Sequence, residues 1–209
     1  MPYFPGLGLL FIHVPKTAGT SVIECLRDFD ASPLLDIEPV RDVDAAGLTA
    51  RWYNHVTWME ATALLKALGH RPFRVLAITR HPLDRLISWF AFVRQAKMFD
   101  HDASPGIVHI RGCLDFADYV SQRRYFLPAQ MRWLTRPERC ADTLTLLRFE
   151  ELRSAWPVYL TSLGLPVAVL PHRQRSDHED ARAWYDNRGR AIVAEHYRED
   201  FDALAYDVD

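Results

Sequence analysis

Hydrophobic positions in this chain come in short continuous blocks separated by longer stretches of helical spacing. Residues 9–14 are apolar except for His13 and read as a buried parallel strand. Residues 73–78 and 144–149, apolar apart from Arg74, Thr145 and Arg148, read as a second core strand and a third strand. Each is followed by a stretch with apolar residues three and four apart: Val22, Ile23, Leu26 and Phe29 within 17–29, then Leu83, Leu86, Ile87, Phe90 and Val93, then Leu152, Trp156, Tyr159, Leu160 and Leu163. Pro15 ends the first run, and Pro82 suits a first helical turn, where its missing N–H leaves no bond unmade. The alternation predicts an α/β fold, a three-layer domain with a mostly parallel central sheet flanked by helices. Crossovers are then right-handed, and ligands belong beyond the carboxyl ends of the strands.

The intervening segments are less regular. Residues 30–48 are rich in Pro, Asp and Val without a period and read as an irregular excursion. Residues 51–58 read as a short extended segment carrying Asn54 and His55, and 59–68 as a helix ended by Gly69. Scattered His, Asp, Pro and Gly make 97–111 a long loop, and 97–113 is the expected acceptor-binding region. A short helix is expected at 114–120, and the last helical material at 183–205.

A length of 209 residues with 49% hydrophobic content fits a single domain over 1–209. Twenty-five basic against twenty-seven acidic residues give a net charge of -2, so no global positive field argues for nucleic acid, and anion binding must be local. Cys25, Cys113 and Cys140 have neither metal-ligand spacing nor the density of a disulfide scaffold, which fits a reducing, cytoplasmic setting. No apolar stretch approaches the ~20 residues of a spanning helix.

The most informative segment is His13-Val14-Pro15-Lys16-Thr17-Ala18-Gly19-Thr20-Ser21, between the first strand and the first helix. Amides of residues 17–21 at a helix amino end, a close backbone approach at Gly19, the charge of Lys16 and the hydroxyls of Thr20 and Ser21 would make a phosphate-sized cradle. The same residues also read as a Ser/Thr-capped helix with an ordinary surface lysine. Lys16 comes too early for the usual triphosphate loop, which places Lys after a longer glycine-spaced turn and ends in a magnesium-holding hydroxyl. A second segment, Arg80-His81-Pro82-Leu83-Asp84-Arg85-Leu86-Ile87-Ser88, follows the second strand. Arg80 with its fork and Ser88 with its hydroxyl are candidates for one phosphate, while Arg85 can instead be structural.

Together these two segments resemble the 5'-phosphosulfate loop and the 3'-phosphate motif of sulfotransferases that use 3'-phosphoadenosine 5'-phosphosulfate (PAPS). The resemblance is to the carbohydrate branch that includes heparan sulfate 2-O-sulfotransferases. Weaker matches run through Gln130-Met131-Arg132-Trp133-Leu134, Arg148-Phe149-Glu150-Glu151-Leu152 and Tyr197-Arg198-Glu199-Asp200-Phe201. The resemblance implies a P-loop-like fold and in-line transfer of a sulfuryl group from PAPS to a hydroxyl, with adenosine 3',5'-bisphosphate as product and no metal required. The acceptor it implies is a glycan or a hydroxyl-bearing small molecule. The cofactor set it implies is Pro15, Lys16, Thr17, Ala18, Gly19, Thr20, Ser21, Arg80 and Ser88, joined by Arg173 and Arg175 in a late basic loop. The family's catalytic histidine has its counterpart in Asn54-His55-Val56, which makes His55 the expected general base and Lys16 its catalytic partner on the leaving group.

Other readings compete. A phosphotransferase using another nucleotide is disfavoured by the missing triphosphate loop, and a catalytically inactive nucleotide-binding protein by the presence of His55 and Lys16. His13 is a weaker candidate that shapes or caps the loop, and His101 and His109 fall in the expected acceptor region. His172 and His178 fit no metal spacing. Trp133, Tyr125 and Phe126 can cover an adenine or fill the core.

Overall fold

The computed structural model describes residues 2–30, 32, 55–97, 100–102, 104–137, 143–171 and 181–208. Residues 51–54 of the expected extended segment at 51–58, most of the excursion at 30–48, Cys140, His172, His178 and the basic loop with Arg173 and Arg175 lie outside the described residues.

Contacts divide the chain into two compact units. Described residues 2–80, 132–137 and 143–171 belong to the first. It contains a sheet in the order β1 (Tyr3–Phe4), β2 (Leu9–Ile12), β3 (Arg74–Thr79), β4 (Thr143–Arg148). The pair β1–β2 is antiparallel, while β2–β3 and β3–β4 are parallel, with Ile12 opposite Ala77 and Thr79 opposite Arg148. The α/β fold with a mostly parallel sheet flanked by helices is therefore as expected. Side chains alternate across a strand, so Leu9, Phe11, Leu76 and Ile78 share one face, where they cluster with Val22, Cys25 and Leu26 of α1 (Gly19–Arg27). Leu10, Ile12, Val75 and Ala77 take the opposite face and are buried too, which is why β2 and residues 75–78 of β3 read as apolar runs.

A second helix, α2 (Trp58–Ala67), starts at a reciprocal cap. The Thr57 hydroxyl accepts from the Glu60 amide while Glu60 accepts from the Thr57 amide at 2.8 Å, satisfying two N-terminal donors at once.

Described residues 81–97, 100–102, 104–131 and 181–208 form the second unit. It holds α3 (Pro82–Gln95), α4 (Pro105–Gly112) and α5 (Phe116–Gln122). The short helix α6 (Met131–Leu134) follows, and after β4 and α7 (Leu152–Ser162) of the first unit come α8 (Asn187–His196) and α9 (Arg198–Leu204). The core of this unit joins Leu86, Ile87 and Phe90 to Ile107 and Ile110, Phe116 and Tyr119, Ile192 and Val193, and Phe201.

One expectation is corrected here. Residues 105–112 are helix, not loop: Pro105 supplies a preset first turn, and Ile107 and Ile110, three apart, are driven into the core. The last helical material falls where expected, as a 3-10 turn at Ala181–Trp184 followed by α8 and α9, with Tyr197 between the two helices buried and its hydroxyl donated to the Leu127 carbonyl at 2.7 Å.

The Arg85 side chain is structural. It is 1% exposed and donates to the Pro128 carbonyl at 2.9 Å. Nearby Asp200, wholly buried, accepts from the amides of Gln130 and Met131 at 2.8 and 3.0 Å.

Candidate functional site

All three parallel strands of the first unit end at the same edge, so residues after Ile12, Thr79 and Arg148 are brought together by the sheet itself. After Ile12 the chain turns through a strained loop. Lys16 and Ala18 both have φ of 68°, a left-handed conformation that costs a non-glycine residue of order 1–3 kcal/mol. The turn is fixed from within. Thr17 is fully buried and its hydroxyl donates to the Val14 carbonyl at 2.9 Å. Helix α1 then begins at Gly19 rather than at Thr17, and no side chain caps it. The amides of Ser21, which is buried, and Val22 donate to the Ala18 carbonyl at 3.1 and 3.2 Å, and Thr20 is exposed.

At Gly19 a Cβ would lie 1.9 Å from His13 Cδ2 and 2.1 Å from His13 Nε2. The missing side chain makes room for an imidazole. The His13 ring is stacked on Phe11 at 5.8 Å and tilted against the His55 ring at 4.2 Å. Burial, then the neighbouring His55 and Lys16, push its pKa well below the usual histidine value, so His13 is neutral.

His55 is held twice by main-chain contacts. Its Nδ1 lies 2.7 Å from the His13 carbonyl oxygen. A carbonyl only accepts, so the proton of this bond sits on Nδ1, and the lone pair of the neutral ring is on Nε2. The His55 carbonyl in turn accepts from Trp133 Nε1 at 2.9 Å. Trp133, considered above as an adenine cover or core residue, thus positions the histidine backbone.

Lys16 and Arg80 bring two cations to the turn. Burial, then the Arg80 charge, lower the Lys16 pKa to about 7. Arg80 is 9% exposed, its guanidinium 4.2 Å from the Phe149 ring centroid and its Nη1 3.4 Å from the Lys16 carbonyl oxygen. Stacking on an aromatic face holds a guanidinium while leaving its edge for hydrogen bonds. Phe149 follows β4 directly, and its sequence motif gives no sign of this stacking role. Ser88, in α3 of the second unit, is 3% exposed. In that unit His81 immediately precedes α3 without a capping side-chain bond, and its Nε2 lies 2.8 Å from the Asp207 carbonyl. His101 is exposed and His109 lies on α4 with its ring 5.1 Å from that of Tyr125. Among the described residues no cluster of three His, Cys, Asp or Glu is arranged for a metal ion, and no helix is long and apolar enough to cross a membrane.

A strand–turn–helix junction with no side-chain cap, two cations and an oriented imidazole, at the carboxyl edge of a parallel sheet, suits an anionic ligand. The chain belongs to the sulfotransferase family, whose model matches residues 3–207. No curated protein matches it. Membership carries sulfotransferase activity in the broad sense.

Proposed function

We propose that this protein transfers a sulfuryl group from PAPS to an acceptor hydroxyl, most naturally on a carbohydrate, with His55 as general base. The observation that carries this reading is the 2.7 Å contact of His55 Nδ1 with the His13 carbonyl, which puts a basic Nε2 one ring away from the anion-suited turn. The donor set fits the group: Lys16, the α1 amides, Thr20 and Ser21 suit the 5'-phosphosulfate, and Arg80 is a fork for the 3'-phosphate. Ser88 is assigned to that phosphate by its motif alone, as are Arg173 and Arg175 to a closing role over the nucleotide. The second motif is what would separate PAPS from adenosine 5'-phosphosulfate.

Bound PAPS supplies an electrophilic sulfur on a phosphate leaving group. His55 Nε2 takes the proton of the acceptor hydroxyl as its oxygen bonds to sulfur and the sulfur–phosphate oxygen bond breaks. Lys16 and the loop amides hold the charge that appears on the departing phosphate, a task for fixed donors in a partly dry site. No step in this scheme calls on a metal. Setting the action in the cytoplasm and treating 1–209 as one functional domain are parts of the same proposal.

Calorimetry with adenosine 3',5'-bisphosphate and with ATP plus magnesium tests the nucleotide class. Selective binding of the bisphosphate is expected, and preference for ATP with magnesium would replace this reading with phosphoryl transfer. For the base, His55→Ala should keep bisphosphate affinity within a few-fold while turnover falls ~10²- to 10⁴-fold. Full turnover in a folded His55→Ala variant would remove His55 from the role.

A further inference from the structure

The reaction scheme uses His55, Lys16 and the turn, but leaves unused the buried imidazole that lies between them. His13 is 8% exposed, and its Nδ1 is buried with no hydrogen-bond partner. A polar ring held this way forgoes solvation, so shape and placement, rather than its own hydrogen bonding, are what the site takes from it. One edge of the ring fills the space that a Cβ at Gly19 would need, at the first residue of α1. The ring is tilted 47° against that of His55, centroids 4.2 Å apart, and the backbone carbonyl of the same residue holds His55 Nδ1 at 2.7 Å.

We propose that His13 is a positioning residue that couples the anion-binding turn to the base, its ring wedged between Gly19 and His55 while its carbonyl sets the His55 tautomer. The glycine at position 19 is then required by His13, not by the ligand. This rests on the reading of His55 as base, and the two can fail separately. A displacement of the α1 amino end is transmitted through a hard contact to the His13 ring and from there to His55. Close-packed interiors do not absorb a shift of this kind.

Three variants test it: Gly19→Ala, His13→Ala and the double variant. By helix preference alone, alanine at position 19 would be the better residue. Against the wedged ring it should instead lower the unfolding temperature and weaken adenosine 3',5'-bisphosphate binding at least ~10-fold. His13→Ala should leave that affinity within ~3-fold and reduce turnover ~10- to 100-fold through a loosened His55. In the double variant the methyl group occupies the vacated space. Affinity and unfolding temperature should recover toward wild type, while turnover stays at the His13→Ala level.

Failure of the double variant to recover affinity would show that Gly19 serves the ligand and would overturn the coupling. Unchanged turnover in His13→Ala would overturn the positioning role. Should Gly19→Ala fail to fold, recovery of folding in the double variant supports the wedge and continued misfolding overturns it. Nuclear magnetic resonance of the His55 ring provides a readout that needs neither nucleotide nor turnover. The protected Nδ1–H proton of wild type should exchange faster in His13→Ala, and an unchanged proton there would overturn the proposal even if no nucleotide bound.

Discussion

Nucleotide affinity should fall steeply with pH above neutrality, because the lysine of the anion turn is already on the edge of losing its proton. Burial and the Arg80 charge bring the Lys16 pKa down to about 7. A bound phosphate dianion favours the protonated form and raises that pKa again. The bound state therefore holds more protons than the free state at every pH between the two values, and binding weakens as pH rises through that window. For a free-state pKa near 7 and a bound-state value well above it, the penalty factor grows from ~2 at pH 7 to ~11 at pH 8 and ~100 at pH 9. Below about pH 6 the ligand phosphates take up protons, so affinity should peak near pH 6 to 7. Calorimetric titration of adenosine 3',5'-bisphosphate in two buffers of different ionisation enthalpy reads the proton uptake directly, expected at ~0.5 per site at pH 7 and ~0.9 at pH 8. Lys16→Arg keeps the charge and does not titrate in this range, so its affinity should be nearly flat from pH 7 to 9. A wild-type profile as flat as that of the arginine variant, or equal slopes in both, would refute the argument.

The same logic applies to stability on the acid side. The pKa of His13 is depressed, so the unfolded chain binds a proton that the folded one refuses between the usual value near ~6.5 and the lower folded value, and stability is lost as pH falls through that window at up to ~1.4 kcal/mol per pH unit. Urea unfolding at pH 7 and pH 5 should show a smaller loss in His13→Phe than in wild type, and identical losses would contradict the assignment. In the second unit, Asp200→Asn turns an amide group toward one of the two backbone N–H donors that the carboxylate now accepts from. Leaving that buried donor unmet should cost ~2–3 kcal/mol, or roughly 4–12 °C of unfolding temperature at this chain length, and a shift under ~2 °C would show that the contact contributes little.

The sheet and most helices were legible because their signals are local. β2 is apolar at every position and β3 over 75–78, since both faces are covered, and α3 shows its period through Leu83, Leu86, Ile87, Phe90 and Val93. β1 was not legible: two residues against the edge of β2 leave no pattern to read. Helix α4 was hidden because His109 and Arg111 interrupt an otherwise small apolar face. Arg111 lies there for a nonlocal reason, its guanidinium bonding the Val93 and Ala96 carbonyls near the end of α3 at 3.0 Å each. The turn at 15–21 was visible as a motif, yet the two contacts that organise His55 were not. One joins residues 42 apart and the other residues 78 apart, and both end on main-chain carbonyls. Backbone acceptors look alike at every position of a sequence, so no spacing rule could have chosen them.

The turn also shows why side-chain packing, and not glycine, sets its geometry. Lys16 and Ala18 adopt left-handed conformations that glycine would take with less strain, while the glycine of the segment, at position 19, needs no such freedom. Glycines at 16 and 18 would relieve that strain but widen the range of conformations open to the turn. Here the strain is borne by the Thr17 hydroxyl bond to Val14 and by the His13 ring against Gly19, so the α1 amides keep one orientation. Fixed donors stabilise developing charge without reorganising as it forms, which is the physical requirement for transfer from a phosphate leaving group. The same ring that helps fix the donors also lies against His55. On the proposed scheme, leaving-group stabilisation and the placing of the base then both depend on residues 13–19, and a change that loosens that segment should weaken both together.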